Sequence, residues 1–241
     1  MEKKLTLSIV IPVYNEEKEL ASSVTTLVSY CGKHMGDFAW SITIADNASV
    51  DRTRQIALSL ARTNPNISVV SLKAKGRGRA VKYVWQKRPA DINAYMDVDL
   101  STDLAHFPPL VRSITGAYDV AIGTRNARTS RVYGRSALRT FTSKMYIFLI
   151  KIFFWVHFSD AQCGFKAVCR RVVTEVVPRV VDNEWFFDTE LLVLSEKMGL
   201  RIYEEPVTWI DNPGSTVRVM KTAQGDLQGL WRILITRPWK K

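Results

Sequence analysis

Ala94-Tyr95-Met96-Asp97-Val98-Asp99-Leu100 is an apolar run that ends in two carboxylates one residue apart. As a buried strand it brings both acids to the carboxyl edge of a sheet, where their oxygens can hold a hard divalent cation against a diphosphate. An isolated Asp-x-Asp serves equally well as a strand end whose acids meet solvent or cap the next helix. The neighbouring segments give the pair its context.

Upstream, Leu7-Ser8-Ile9-Val10-Ile11-Pro12-Val13 is a β-branched run whose proline belongs near its end, because proline cannot donate to a central ladder. Asn15 is placed as the N-cap of a helix carrying Leu20, Val24, Leu27 and Val28 at helical spacing. Trp40 to Asp46 alternates as a second strand, and Ile56, Leu58 and Leu60 mark a second helix. Ile67 to Leu72 is a third strand, followed by the basic glycine-containing loop Lys73 to Arg79 and a short helix from Ala80 to Gln86. Strands alternating with helices predict an α/β fold: a mostly parallel sheet covered on both faces, with ligands at the strands' carboxyl ends.

Downstream, the strand Val120 to Gly123 leads into a loop with five arginines between Arg125 and Arg139. Phe141 to Phe158 follows, roughly 18 residues or ~27 Å as a helix. Lys144 and Lys151 interrupt it, and a lysine near the centre of a spanning helix costs about 2.5 to 3.5 kcal/mol. Two readings remain open for this segment: an amphipathic helix in the membrane interface, and an apolar helix packed on the sheet. Residues 226–241 mix Leu230, Trp231, Ile233 and Ile235 with Arg232, Arg237, Lys240 and Lys241, and are expected to form a basic amphipathic tail behind a single domain of residues 1–225.

Lys and Arg number 34 against 23 acids, a formal charge of +11 that calls for an anionic partner. A nucleic-acid-binding role would use the arginines but leave Asp97 and Asp99 unexplained, so no nucleic acid is expected. Cys31, Cys163 and Cys169 form no Cys-x-x-Cys pair, which suits a reducing compartment. No signal-peptide pattern precedes the first strand, and the cytoplasmic side is expected.

Ile11-Pro-Val-Tyr-Asn-Glu-Glu17, Ala45-Asp-Asn-Ala-Ser-Val-Asp-Arg-Thr53, Lys75-Gly-Arg-Gly-Arg-Ala80 and Met96-Asp-Val-Asp99 together resemble glycosyltransferase family 2. Asp160-x-Gln-Cys-Gly-Phe-Lys166, Phe187-Asp-Thr-Glu-Leu191 and Glu205-Pro-Val-x-Trp209 resemble its dolichyl- and polyprenyl-phosphate sugar synthase branch. The resemblance runs from about residue 5 to 225. It implies a GT-A fold, a nucleotide-sugar donor such as UDP-glucose or GDP-mannose, Mg2+ or Mn2+, a polyprenyl or dolichyl phosphate acceptor, and inversion at the anomeric carbon. Membrane association is then peripheral, on the cytoplasmic face.

By the same resemblance Pro12, Tyr14, Glu16 and Asp46 surround the nucleoside, and Lys75 and Val98 complete the donor site. Asp97 meets sugar and ribose, and Asp99 meets the metal. Two positions depart from the family. Asn47 stands where a second acid is usual, and Ser101 stands where the branch often has a metal-holding Gln, leaving Ser101 or Asp103 to supply an oxygen. A phosphate acceptor is already ionised and needs no strong base. It needs cations instead, for which Arg125, Arg135, Arg139 and Arg218 are the candidates. Asp97, Asp99 and Arg125 are the expected catalytic residues. A soluble acceptor is the alternative within the family.

Overall fold

The computed structural model of the protein describes residues 4–211 and 219–240. The first half alternates as its hydrophobic pattern requires: β1 (Thr6–Val13), α1 (Leu20–His34), β2 (Ala39–Asp46), α2 (Thr53–Thr63), β3 (Ile67–Ser71), α3 (Arg77–Lys87) and β4 (Ile92–Met96). The second half is less regular, with α4 (Phe107–Gly116), β5 (Val120–Thr124), β6 (Arg131–Tyr133), α5 (Ala137–Phe154), β7 (Phe165–Cys169), α6 (Arg170–Glu175), α7 (Phe187–Lys197), β8 (Ile202–Pro206), β9 (Thr208–Ile210) and α8 (Val219–Thr236).

Seven strands form one sheet in the order β3-β2-β1-β4-β7-β5-β8. Every pairing in it is parallel except those of β7, which runs antiparallel between β4 and β5. Pro12 sits one residue from the end of β1, beyond Val10↔Tyr95 where pairing with β4 stops, so its missing N–H interrupts no bond to that neighbour. Asn15 does not cap α1. It takes a left-handed φ of 56° and stitches two loops, accepting from the Val50 N–H through its side chain and donating its own N–H to Ser49 Oγ.

Alternation along the strands divides the core in two. Leu7, Ile9 and Ile11 of β1 face α1, α2 and α4, whereas Val10 of β1 and Tyr95 of β4 face α3, α5, α7 and α8. α5 starts and ends four residues earlier than expected. Ser136 caps it by accepting the Arg139 N–H, and Trp155 stops it in the left-handed region. Ile150 and Phe154 bind it to the core, while Leu138, Phe141, Met145, Phe148 and Ile152 form one exposed stripe at spacings of three and four. α8 begins ahead of the expected boundary at residue 226 and buries Leu230 and Ile233 in the same core. Its far side exposes Leu227, Trp231 and Ile235, and α8 lies against α5. No described helix is long and apolar enough to cross a membrane.

Asp226 ties α8 to the loop that leads into β7. It is 5% exposed, accepts a 2.8 Å bond from Gln162 Nε2, and has no partner for Oδ1 among the described residues. Burial pushes its carboxyl up to about 7 from an ordinary 3.8. The unfolded chain releases this proton near pH 4 and the folded chain holds it to about 7, so stability falls as pH rises through that window. Asp226→Asn removes the titration. Melting temperatures at pH 5 and pH 8 are expected to fall less in the variant, by several degrees, than in the parent protein.

Candidate active site

Three adjacent strands, β2, β1 and β4, deliver their loops to one edge. Each loop holds a non-glycine residue in the left-handed region: Ala48 (φ 62°), Asn15 (φ 56°) and Leu100 (φ 48°). Such conformations cost roughly 1 to 3 kcal/mol each and persist where surrounding bonds fix them. Leu100 is held from both sides. Asp99 accepts from the Ser101 N–H and hydroxyl at 3.0 and 2.5 Å, and the Ser101 carbonyl accepts the Ile210 N–H. A bridge between Thr102 and Trp209 completes the stitching of this loop to β9.

The pocket so formed is lined by Asp97, Asp99, Ser101, Gly164 and Trp209 among others. Val98, between the acids, turns into the core. Asp97 keeps 44% of its side chain exposed and receives Arg77 Nη2 at 2.7 Å. Burial and the charge of Asp99 raise its carboxyl, and Arg77 opposes them. Among the described residues no group of three or more His, Cys, Asp or Glu side chains could close around a metal. Mg2+ and Mn2+ do not need one, since one or two carboxylates with water and substrate phosphates suffice. Asp97 and Asp99 fit that requirement. Ser101 lines the pocket, and its hydroxyl donates to Asp99 and orients that carboxylate. Asp103 does not line this pocket; its Oδ1 accepts the Ala105 N–H and caps a helical turn.

Beside the pocket strands, Lys75 Nζ lies 3.6 Å above the Tyr14 ring. Glu16 is pushed up to about 7, by burial first and then by Glu19, Asp99, Asp51 and Asp97, which makes this rim a concentration of negative charge. Asp46 is 2% exposed and fixes its loop by accepting the Ser49 N–H. Asn47 is buried with Oδ1 unpartnered among the described residues. A carboxylate buried there without a partner would cost more than the amide does.

The arginines differ from one another. Arg125 is not the free cation its position suggested: Nε and Nη2 bind Asp160 at 2.7 and 2.9 Å, its backbone N–H binds the same carboxylate, and Asp160 is thereby held at about 2. Arg139 is bidentate to Asp211 through Nη1 at 2.7 and 2.6 Å. Arg135 has no ion pair among the described residues and a buried Nε without a partner. Its guanidinium and that of Arg125 lie 6.0 and 5.4 Å from the Trp209 ring. Arg218 lies outside the described residues.

The expected site omitted a buried network. Arg77 Nη1 binds Asp188 at 2.7 Å, Lys166 Nζ binds Asp188 at 2.9 Å and the Cys163 carbonyl at 2.5 Å, and the Tyr95 hydroxyl donates to Asp188. Its signal in the sequence was a lone lysine in the apolar strand Phe165-Lys-Ala-Val168 and a lone aspartate on the mostly apolar helix face running to Leu194.

With this geometry in place, the comparisons with known proteins become specific. The model of glycosyl transferase family 2 matches residues 8–177. Glycosyltransferase AglD of Haloferax volcanii is 32% identical over 96% of the chain, which spans 38% of that relative's length. The dolichyl-phosphate beta-glucosyltransferases ALG5A of Trichomonas vaginalis and that of Saccharomyces cerevisiae are 30% and 27% identical over 88% and 89% of the chain, covering 68% and 70% of their own lengths. Among solved structures, glucosyl-3-phosphoglycerate synthase of Mycobacterium tuberculosis with UDP superposes at a TM-score of 0.67 and 17% identity, over 97% of this chain and 80% of that one. The mannosyltransferase PcManGT of Pyrobaculum calidifontis, with GDP-Man and Mn2+, does so at 0.59 and 13%, over 92% and 61%. The architecture is the GT-A fold expected from the motifs, and the chain belongs to glycosyl transferase family 2.

Proposed function

We propose that the chain transfers a hexose, glucose by preference, from a nucleoside diphosphate sugar to a polyprenyl or dolichyl phosphate, with inversion. The observation that carries this reading is a linked set of features: an acid pocket suited to a metal diphosphate, Trp209 in its lining with Arg135 near the ring, and an exposed apolar stripe on α5 that starts three residues beyond Arg135 in the chain. The names of the relatives supply the sugar and the lipid, and their beta product is what inversion of an alpha-linked donor gives.

A divalent cation, Mg2+ or Mn2+, held by Asp99 and Asp97 would neutralise the diphosphate and favour its departure. Tyr14 and Lys75 close one wall of the donor site, with Asp46 and Glu16 on the nucleoside. A phosphate oxygen of the acceptor forms the new bond to the anomeric carbon as the bond to the nucleoside diphosphate breaks. The leaving oxygen takes the electron pair. Arg135 meets the acceptor's charge, while Arg125 and Arg139, each held by an acid, shape the cationic wall around it. The α5 stripe and the exposed side of α8 rest on an anionic membrane, where apolar burial and basic residues act together. Three free cysteines suit its cytoplasmic face.

Asp99→Asn is expected to lower transfer about a hundredfold or more while the melting temperature stays near that of the parent. Activity that survives both this change and EDTA would overturn the metal role. Arg135→Ala is expected to raise the acceptor KM about tenfold or more with the donor KM unchanged, since a charge-assisted bond contributes about 1.5 to 3 kcal/mol. Steady-state kinetics with short-chain polyprenyl phosphate decides it. The triple change Phe141→Ser, Phe148→Ser and Trp231→Ser is expected to abolish flotation with phosphatidylglycerol vesicles. Unchanged flotation would place the membrane surface elsewhere.

A further inference from the structure

Arg77 is the second basic residue of the Lys75 to Ala80 segment. It starts α3, and its guanidinium is turned inward, 11% exposed, with Tyr95 and Trp185 rings 5.2 and 5.1 Å from Cζ. One Nη binds Asp97 Oδ1 and the other binds Asp188 Oδ2, both at 2.7 Å. Asp188 is itself fastened to Lys166, which is 0% exposed in the middle of the sheet. Two cations and two anions thus form a chain running from the interior to the pocket.

We propose that Arg77 is a positioning residue for Asp97, a fork that fixes one carboxylate oxygen at the pocket by hanging it from the buried Asp188 and Lys166 pair. This inference rests on the metal reading given above and names the part of the chain that holds the ligand still. With Oδ1 occupied by Arg77, Oδ2 is the oxygen left for a cation or donor. Its course is set by Gly164, where a Cβ would come within 1.8 Å of Asp97 Oδ2 and 2.3 Å of Arg77 Nη2. Gly78 does the same one step back. A Cβ there would meet Phe187 at 2.4 Å, so only glycine lets α3 approach α7 closely enough for Arg77 to reach Asp188. The two glycines, one in each of two distant motifs, clear the space in which the fork closes. A lysine would keep the charge but could not span both acids in the same plane. Groups that orient metal ligands typically account for 10- to 100-fold in metal affinity.

The test is Mn2+ binding to the full chain, followed by electron paramagnetic resonance of the free ion, with UDP or GDP present and with no sugar transfer involved. Arg77→Met, Arg77→Lys and Asp188→Asn are compared with the parent, and melting temperatures are recorded for each. The expected result is Mn2+ binding weakened about tenfold or more in Arg77→Lys and Asp188→Asn, with both still folded. Should Arg77→Met or Asp188→Asn fail to fold, Arg77→Lys, which leaves the Lys166 and Asp188 pair intact, decides the outcome. Parent-like Mn2+ affinity in folded Arg77→Lys and Asp188→Asn, with only the melting temperature reduced, makes the network structural and overturns the proposal. A parent chain that binds no Mn2+ with either nucleotide overturns the metal reading, and this inference with it.

Discussion

Lys166 sits on β7 with no exposed surface, flanked by Tyr95 on β4 and Ile122 on β5, so its charge must be met inside the protein. Asp188 meets it. That single requirement fixes where the start of α7 can lie, and the resulting aspartate then needs a second cation to satisfy its other oxygen. Removing one partner of such a buried pair typically costs about 3 to 5 kcal/mol, because the survivor is left charged without water. Retaining both partners therefore constrains three elements at once: β7 through the lysine, α7 through the acid and α3 through Arg77. Much of the alignment of the helices beneath the donor edge follows from this one buried charge.

The candidate site itself is divided by sign. Glu16, Asp97 and Asp99 crowd one side, where the charges of Asp99 and Asp97 help raise Glu16 and that of Asp99 helps raise Asp97, and an arginine group crowds the other. Acids alone would repel a diphosphate, and arginines alone would repel a metal. Between them stands Trp209, neutral and bonded by its backbone to the acid loop, with cations near its ring face. Asp160 and Asp211 reduce the excess on the cationic side so that it is positive without being self-destructive.

The parallel half of the sheet was legible in the sequence because each strand there is a short β-branched run and each crossover helix has its own stripe, as in Leu20, Val24 and Leu27. The pocket acids were legible because Asp97 and Asp99 interrupt such a run abruptly. Long-range pairing was not. Nothing near Arg125 shows that Asp160, thirty-five residues on, will hold it, and Arg139 and Asp211 are farther apart still. Asn15 looked like a cap because caps are read locally, whereas its side chain answers to a loop from the next unit. Of the two readings of α5, packing on the core holds for Ile150 and Phe154, and the opposite side is an exposed apolar face.

β7 has a consequence for the order in which the molecule can be assembled during synthesis. Its antiparallel insertion separates β4 from β5, which therefore do not pair with each other, so one edge of β4 stays bare until residue 169 has left the ribosome. The β3-β2-β1-β4 half is complete some seventy residues earlier and must wait with that edge open. The strand that finally closes it carries Lys166, whose partner Asp188 lies on α7, so the closing strand keeps an unmet charge until the start of α7 has emerged as well.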